Sequence, residues 1–179
     1  MSNAEELTIY QRPYRSTDSN LRCHALEVVF FGYLGQLVDS QLVVIEKSTN
    51  QTKVVYDASQ GVSAVLVNYN DYGYVENYID QVSLQWFMAN IGNIEDDLTR
   101  SCIWYNIGGM VRQSLVSVSE FATMVQVHLF EESIDFVFDK MLGQLLEFIN
   151  AFTPKEEAIQ LKTTIFNQIY SQLKNGNLT

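Results

Sequence analysis

At 179 residues, with 47 % hydrophobic and 18 % charged side chains and only two prolines, the chain has the make-up of one globular domain, large enough to bury about two thirds of the surface its unfolded form exposes. Its two cysteines, Cys23 and Cys102, form no CxxC pair, which excludes a disulfide-dense secreted scaffold and a structural zinc site of the usual spacing. The net charge of −10 is concentrated in the middle. Residues 54 to 139 hold twelve acidic groups against Arg100 and Arg112, while residues 1 to 53 sum to −1 and residues 140 to 179 to +1. Such a field repels nucleic acid and anionic membrane and attracts basic surfaces.

Residues 1 to 20 are polar and read as an N-terminal tail, with Pro13 and at most one short strand over 7 to 11. They hold no apolar segment behind a basic start, so no secretory signal is read and a cytoplasmic protein is expected, with both thiols buried. Residues 21 to 179 are expected to form a single α+β domain. The most apolar window, 21 to 45, is interrupted by Arg22, Glu27, Gln36, Asp39 and Gln41, too polar for a membrane span. Within it Leu26, Val29, Phe30, Tyr33, Leu34, Leu37 and Val38 recur at steps of three and four, the spacing of one helix face, and predict a helix.

The β-rich runs 41 to 47 and 52 to 57 flank a loop of hairpin composition, 48 to 51, and Val62 to Val67 makes a third run. Residues 68 to 73 read as a turn. Beyond it helical periodicity covers 75 to 91, 94 to 113, 120 to 152 and 154 to 174, with candidate breaks at Gly92, Gly108, Gly109 and Gly143. Thr153, Pro154 and Glu156 have the spacing of a capping box with proline at the first helical position, and Ser117 with Glu120 repeats the box before the third helix. The expected fold is therefore α+β: a small antiparallel sheet of about three strands, a helix before it, and a helical C-terminal half.

The chemistry-bearing residues are few. His24 with Glu27, and His128 with Glu131, would each share a helix face at i, i+3, which suits metal ligation in the manner of a carboxylate-histidine metal protein or hydrolase, although the order reverses that of di-iron bundles. Histidines held by a neighbouring carboxylate are the simpler expectation. There is no Gly-x-Ser-x-Gly, and neither Gly32-Tyr-Leu-Gly35 nor Gly108-Gly109 carries the lysine of a phosphate loop. Glu95, Asp96 and Asp97 sit where a helix dipole favours acids. Arg12, Arg15 and Arg22 make at most a small basic spot. No cofactor is implied.

Two stretches have the composition of a recognition surface. In one, Tyr69, Tyr72, Tyr74 and Tyr78 alternate with Asp71, Glu76 and Asp80; tyrosine offers large contact area at low entropic cost with a polar tip. The alternative there is a turn capped by Asp71 with two tyrosines packed inward. The other is the line Glu131, Asp135, Asp139, at i, i+4, i+8 of the expected long helix with Glu132 beside it and no Lys or Arg four residues away. The sequence thus leads to a non-enzymatic interaction module of adaptor, assembly-chaperone or inhibitor/immunity type, with a basic protein partner or a second copy of itself and with no nucleic acid or membrane as ligand. An acidic mimic of nucleic acid is a further alternative.

Overall fold

The computed structural model describes residues 3–13, 15, 17 and 20–175. The fold is α+β: among the described residues, five strands in two antiparallel sheets are followed by five α-helices that fill the C-terminal half. The strands are β1 (Ala4–Tyr10), β2 (His24–Gly32), β3 (Leu37–Ile45), β4 (Gln51–Asp57) and β5 (Val62–Val67); the helices are α1 (Gln81–Asn90), α2 (Asp97–Arg112), α3 (Val118–His128), α4 (Asp135–Phe152) and α5 (Lys155–Lys174). The chain divides into two compact units, Met1–Cys102 and Ile103–Thr179, the division falling within α2.

In the first unit the helix expected over 26 to 38 is absent, and this part of the reading is corrected. Residues 24 to 32 are β2, the centre of a three-stranded sheet of order β3-β2-β5. Its even positions Leu26, Val28 and Phe30 join a core with Val43, Ile45 and Val54, against which Leu7, Ile9 and Tyr56 of the β1-β4 pair also pack. Its odd position Phe31 faces α1, with Phe87 edge-on at 5.5 Å and Trp86 stacked at 6.2 Å. A strand buried on both faces loses its period-two alternation and becomes a continuous apolar run, in which steps of three and four arise by chance. Of the other apolar residues of the supposed helix, Val29 is buried in β2, Tyr33 and Leu34 are exposed at the apex of the β2-β3 hairpin, and Leu37 and Val38 open β3. The apex closes through Gly32 N–H to Gln36 O (2.8 Å), and Gly35 adopts φ 87°, where its missing side chain leaves room for Asn93 O.

The strands on either side of 48 to 51 do not pair with each other, as the hairpin reading required: β3 pairs with β2 and β4 with β1. The sheet of about three strands is thus joined by a second, two-stranded one. β1 begins three residues before the expected short strand and runs in register with β4 from Ala4↔Asp57 to Tyr10↔Gln51, so this part of the expected tail belongs to a sheet. Leu7 and Ile9 turn inward. A diagonal pair, Lys53 to Glu6 at 2.9 Å, ties the exposed side of the same ladder, and on the side that carries Leu7 and Ile9 Tyr56 Oη donates to Glu5 Oε2 at 2.8 Å.

In the second unit α3 and α4 replace the single helix expected over 120 to 152. The chain breaks at 129 to 134 rather than at Gly143, which continues α4. Glu132 Oε1 accepts the Ile134 N–H (3.1 Å) and helps close the junction. The core here is aromatic: Trp104 meets Phe121 edge-on at 5.7 Å, and Phe121 meets Phe148 at 5.1 Å. Gly108 lets α2 approach the buried Gln144 of α4, since a Cβ there would collide with the carboxamide. Arg112 lies over Phe148 (5.0 Å) and pairs with Glu147 through Nε (3.2 Å) and Nη2 (2.9 Å).

The two capping boxes part company. Ser117 and Glu120 form theirs, with Ser117 N–H to Glu120 Oε2 at 2.8 Å and Glu120 N–H to Ser117 Oγ at 3.1 Å. The box at Thr153 does not form: α5 starts at Lys155 with Pro154 as its N-cap, so Glu156 stands one position short of the reciprocal bond. The buried Thr153 hydroxyl has no hydrogen-bond partner among the described residues. No helix among the described residues is long and apolar enough to cross a membrane.

Candidate recognition site

The segment from Asn68 to Asp80 connects β5 to α1, and the structure makes it an extended arm rather than the start of a helix. Its first part is a tight turn over Tyr69–Asp71 in which Asn68, Asn70 and Asp71 all have positive φ (61°, 63° and 54°). Asn and Asp are the side chains that tolerate this region, because a short polar group bonds locally to the backbone. Asn68 is buried and engages both ends of its carboxamide: Nδ2 donates to Gly73 O (2.9 Å) and to Asp71 Oδ1 (3.1 Å), and Oδ1 accepts the Gly73 N–H (2.8 Å). Gly73 is required by this closeness, since a Cβ would lie 2.3 Å from Leu26 Cδ2 and 2.8 Å from Asn68 Oδ1.

From Tyr72 onward the chain alternates. Tyr72, Tyr74 and Glu76 point outward, while Val75 packs on the sheet core and Ile79 is buried. Asn77 Nδ2 donates to Val67 O (2.6 Å), a side-chain bond to backbone that competes with helix formation. Helix α1 is therefore delayed to residue 81, where Asp80 Oδ1 accepts from Val82 N–H and Ser83 N–H, both at 3.0 Å. The cap is Asp80, not Asp71.

Of the four tyrosines, two are offered and two are partly packed. Tyr72 is 85 % and Tyr74 99 % exposed. Tyr69 is half-buried, and Tyr78 lies beneath the Arg12 guanidinium at 5.0 Å, a cation–π contact that brings the supposedly basic tail onto the arm. Asp71, Glu76 and Asp80 are exposed beside them. Nearby on β4, burial, then the bond to Glu5, then the charges of Glu5 and Asp80 hold the Tyr56 phenol above its ordinary range.

The acidic line fares differently. Glu131 lies in the junction after α3, with Oε2 3.5 Å from Nδ1 of the buried His128, while Asp135 opens α4 and Asp139 follows one turn later. The three carboxylates do not share one helix, so the stripe reduces to the exposed pair Asp135 and Asp139; Glu132 is half-buried and serves the junction. His24 and Glu27 are three apart on a strand and so point to opposite faces, Glu27 accepting from Ser40 Oγ at 2.7 Å. Among the described residues no three His, Cys, Asp or Glu side chains gather as a metal site. Cys23 is exposed, against the expectation of a buried thiol, with Sγ 3.7 Å from Glu46 Oε2, and Cys102 is half-buried.

Sequence reasoning missed the organiser of the arm and, separately, an exposed apolar turn. Asn68 organises the arm, and its signal was the Asn-Tyr-Asn-Asp run ahead of a glycine, read only as a turn. The Tyr33-Leu34 apex was hidden inside a supposed helix, although the glycines on either side mark a turn. A comparison with protein-family models finds no match for this chain, and a comparison with curated protein sequences finds none either.

Proposed function

We propose that this protein is a non-enzymatic protein–protein interaction module, of adaptor, assembly-chaperone or inhibitor/immunity type, that presents the arm 68 to 80 to a basic partner. One observation carries the reading: Tyr72 and Tyr74 stand almost fully exposed on an arm whose backbone is pinned from below by the buried Asn68. A pre-ordered loop forfeits little conformational entropy on binding, and an exposed tyrosine gains the area it buries. Asp71 and Glu76 on the same arm supply charge that favours a basic surface and speeds encounter with it.

The test is chemical cross-linking capture from the native source, followed by surface plasmon resonance with the purified partner. Tyr72→Ala and Tyr74→Ala are expected to raise the dissociation rate by about tenfold each, as for anchors that bury area. Asp71→Lys with Glu76→Lys is expected to slow association and flatten its salt dependence. Glu131→Lys, Asp135→Lys and Asp139→Lys together should have the smaller effect, because those groups do not form one surface line. A cognate partner whose binding ignores salt and every one of these substitutions would remove the proposal.

A further inference from the structure

We infer that α5 pairs antiparallel with α5 of a second copy of this chain. Ile159, Phe166, Tyr170 and Leu173 are each between 56 and 66 % exposed. Their steps of seven, four and three place them in one stripe along the helix, away from the side that buries Ala158 and Ile165. Phe166 and Tyr170 stack at 6.1 Å with planes 12° apart, giving the stripe a flat aromatic centre. Lys162, which falls between Ile159 and Phe166, is drawn aside by its bond to Asn150 Oδ1 at 2.5 Å.

The charges beside the stripe select its occupant. Glu156 and Lys174, both exposed, are eighteen residues apart, five full turns at 3.6 residues per turn, so they lie on the same flank. In an antiparallel pair a flank faces its own copy. A two-fold axis beside residue 165 sets Glu156 against Lys174 of the second chain, twice over. The stripe has nearly the same centre, because Ile159 and Leu173 lie symmetrically about Phe166. Coincidence of the charge centre and the apolar centre within one residue is the self-complementarity that an isologous interface demands. A parallel pair would hold Glu156 and Lys174 about 27 Å apart along the axis. The stripe is only about 21 Å long, which makes this a small interface and the dimer a reversible one.

Sedimentation equilibrium in reductant, with the whole chain loaded from about 1 µM to 1 mM, tests this; reductant is needed because Cys23 is exposed. The weight-average mass is expected to climb from one chain toward two. Phe166→Glu should stay monomeric throughout, with circular dichroism confirming its fold. Glu156→Lys and Lys174→Glu should each weaken association by about tenfold, and the double swap should restore it to within about threefold. Rescue by the swap is specific to antiparallel self-pairing. A monomer at 1 mM overturns the inference, as does a dimer that survives Phe166→Glu or one whose single charge variants are not rescued by the swap.

Discussion

Unit 103–179 is joined by elements that are neighbours or next-but-one along the chain, whereas unit 1–102 also pairs strands much farther apart in it. In the helical unit α3 packs on α4 and α4 on α5, each the next element in sequence. In the sheet unit β1 pairs with β4 across two intervening strands, and β5 returns to β2 past β3 and β4. A helix closes its hydrogen bonds within one turn, and its apolar face can be read from period alone. A strand has no partner until the chain returns, so its neighbours are decided by loop closure and by which faces need covering. The first unit is for that reason also where a polar stretch, residues 4 to 10, becomes structural.

The largest test of this contrast is removal of residues 1 to 11. Deletion takes Leu7 and Ile9 off the core and strips β4 of its ladder partner, and is expected to lower stability by about 3 kcal/mol or more in urea titration. The intact chain is expected to give one calorimetric transition. A deletion variant with unchanged urea midpoint would show that β1 is an accessory strand.

Next in size is Asn68→Ala. It removes three hydrogen bonds, leaves the Gly73 N–H without its acceptor and puts alanine at positive φ, together costing about 2–3 kcal/mol. Asn68→Asp keeps the acceptor for Gly73 N–H but sets a buried carboxylate oxygen against Gly73 O and the Asp71 carboxylate, so it should cost at least as much. An Asn68→Asp variant as stable as the parent would mean that the acceptor alone organises the arm.

The helical unit offers a matched pair of smaller effects. Ser117→Ala breaks a formed capping box and should cost about 1 kcal/mol, while Thr153→Ala removes a hydroxyl that caps nothing and should be neutral or slightly stabilising. Measured by thermal shift in parallel, the two differ in sign or at least clearly in size; similar losses would show that Thr153 caps α5 after all.

Acid should act on the same box, and weakly. Glu120 titrates below the ordinary glutamate range because the Ser117 hydroxyl and then the Ser117 N–H bond to its carboxylate. A depressed folded pKa adds stability above the unfolded value of about 4.3, and that contribution disappears as pH falls through the folded pKa. The stability difference between Ser117→Ala and the parent should therefore narrow below about pH 4 and stay constant from pH 6 to 8. A difference that widened in acid would contradict the assignment.

What was legible in the sequence follows the same division. The period of α2 to α5, the capping box at Ser117 and the run of β5 were all readable, since each depends on residues within one turn or one strand of each other. In the candidate site the tyrosines and acids could be named in advance, but not which would be exposed. Tyr72 and Tyr74 face out and Tyr78 lies under Arg12 because Asn68 and Asn77 hold the arm extended, a matter of bonds to Gly73 and Val67 that composition does not encode. The long helix read through 129 to 134 had no glycine or proline to announce its break.

The sequence by itself determined the α+β class, the helical second half and the concentration of acid in the middle, because period, caps and charge are local or additive properties. Tertiary structure decided that β2 is a strand rather than a helix, that β4 pairs with β1 rather than β3, and that the acidic line is divided. The physical reason is shared: each outcome turns on what covers a face or closes a backbone bond from a distant part of the chain, and a period of three or four in a fully buried run carries no information about which partner will do so.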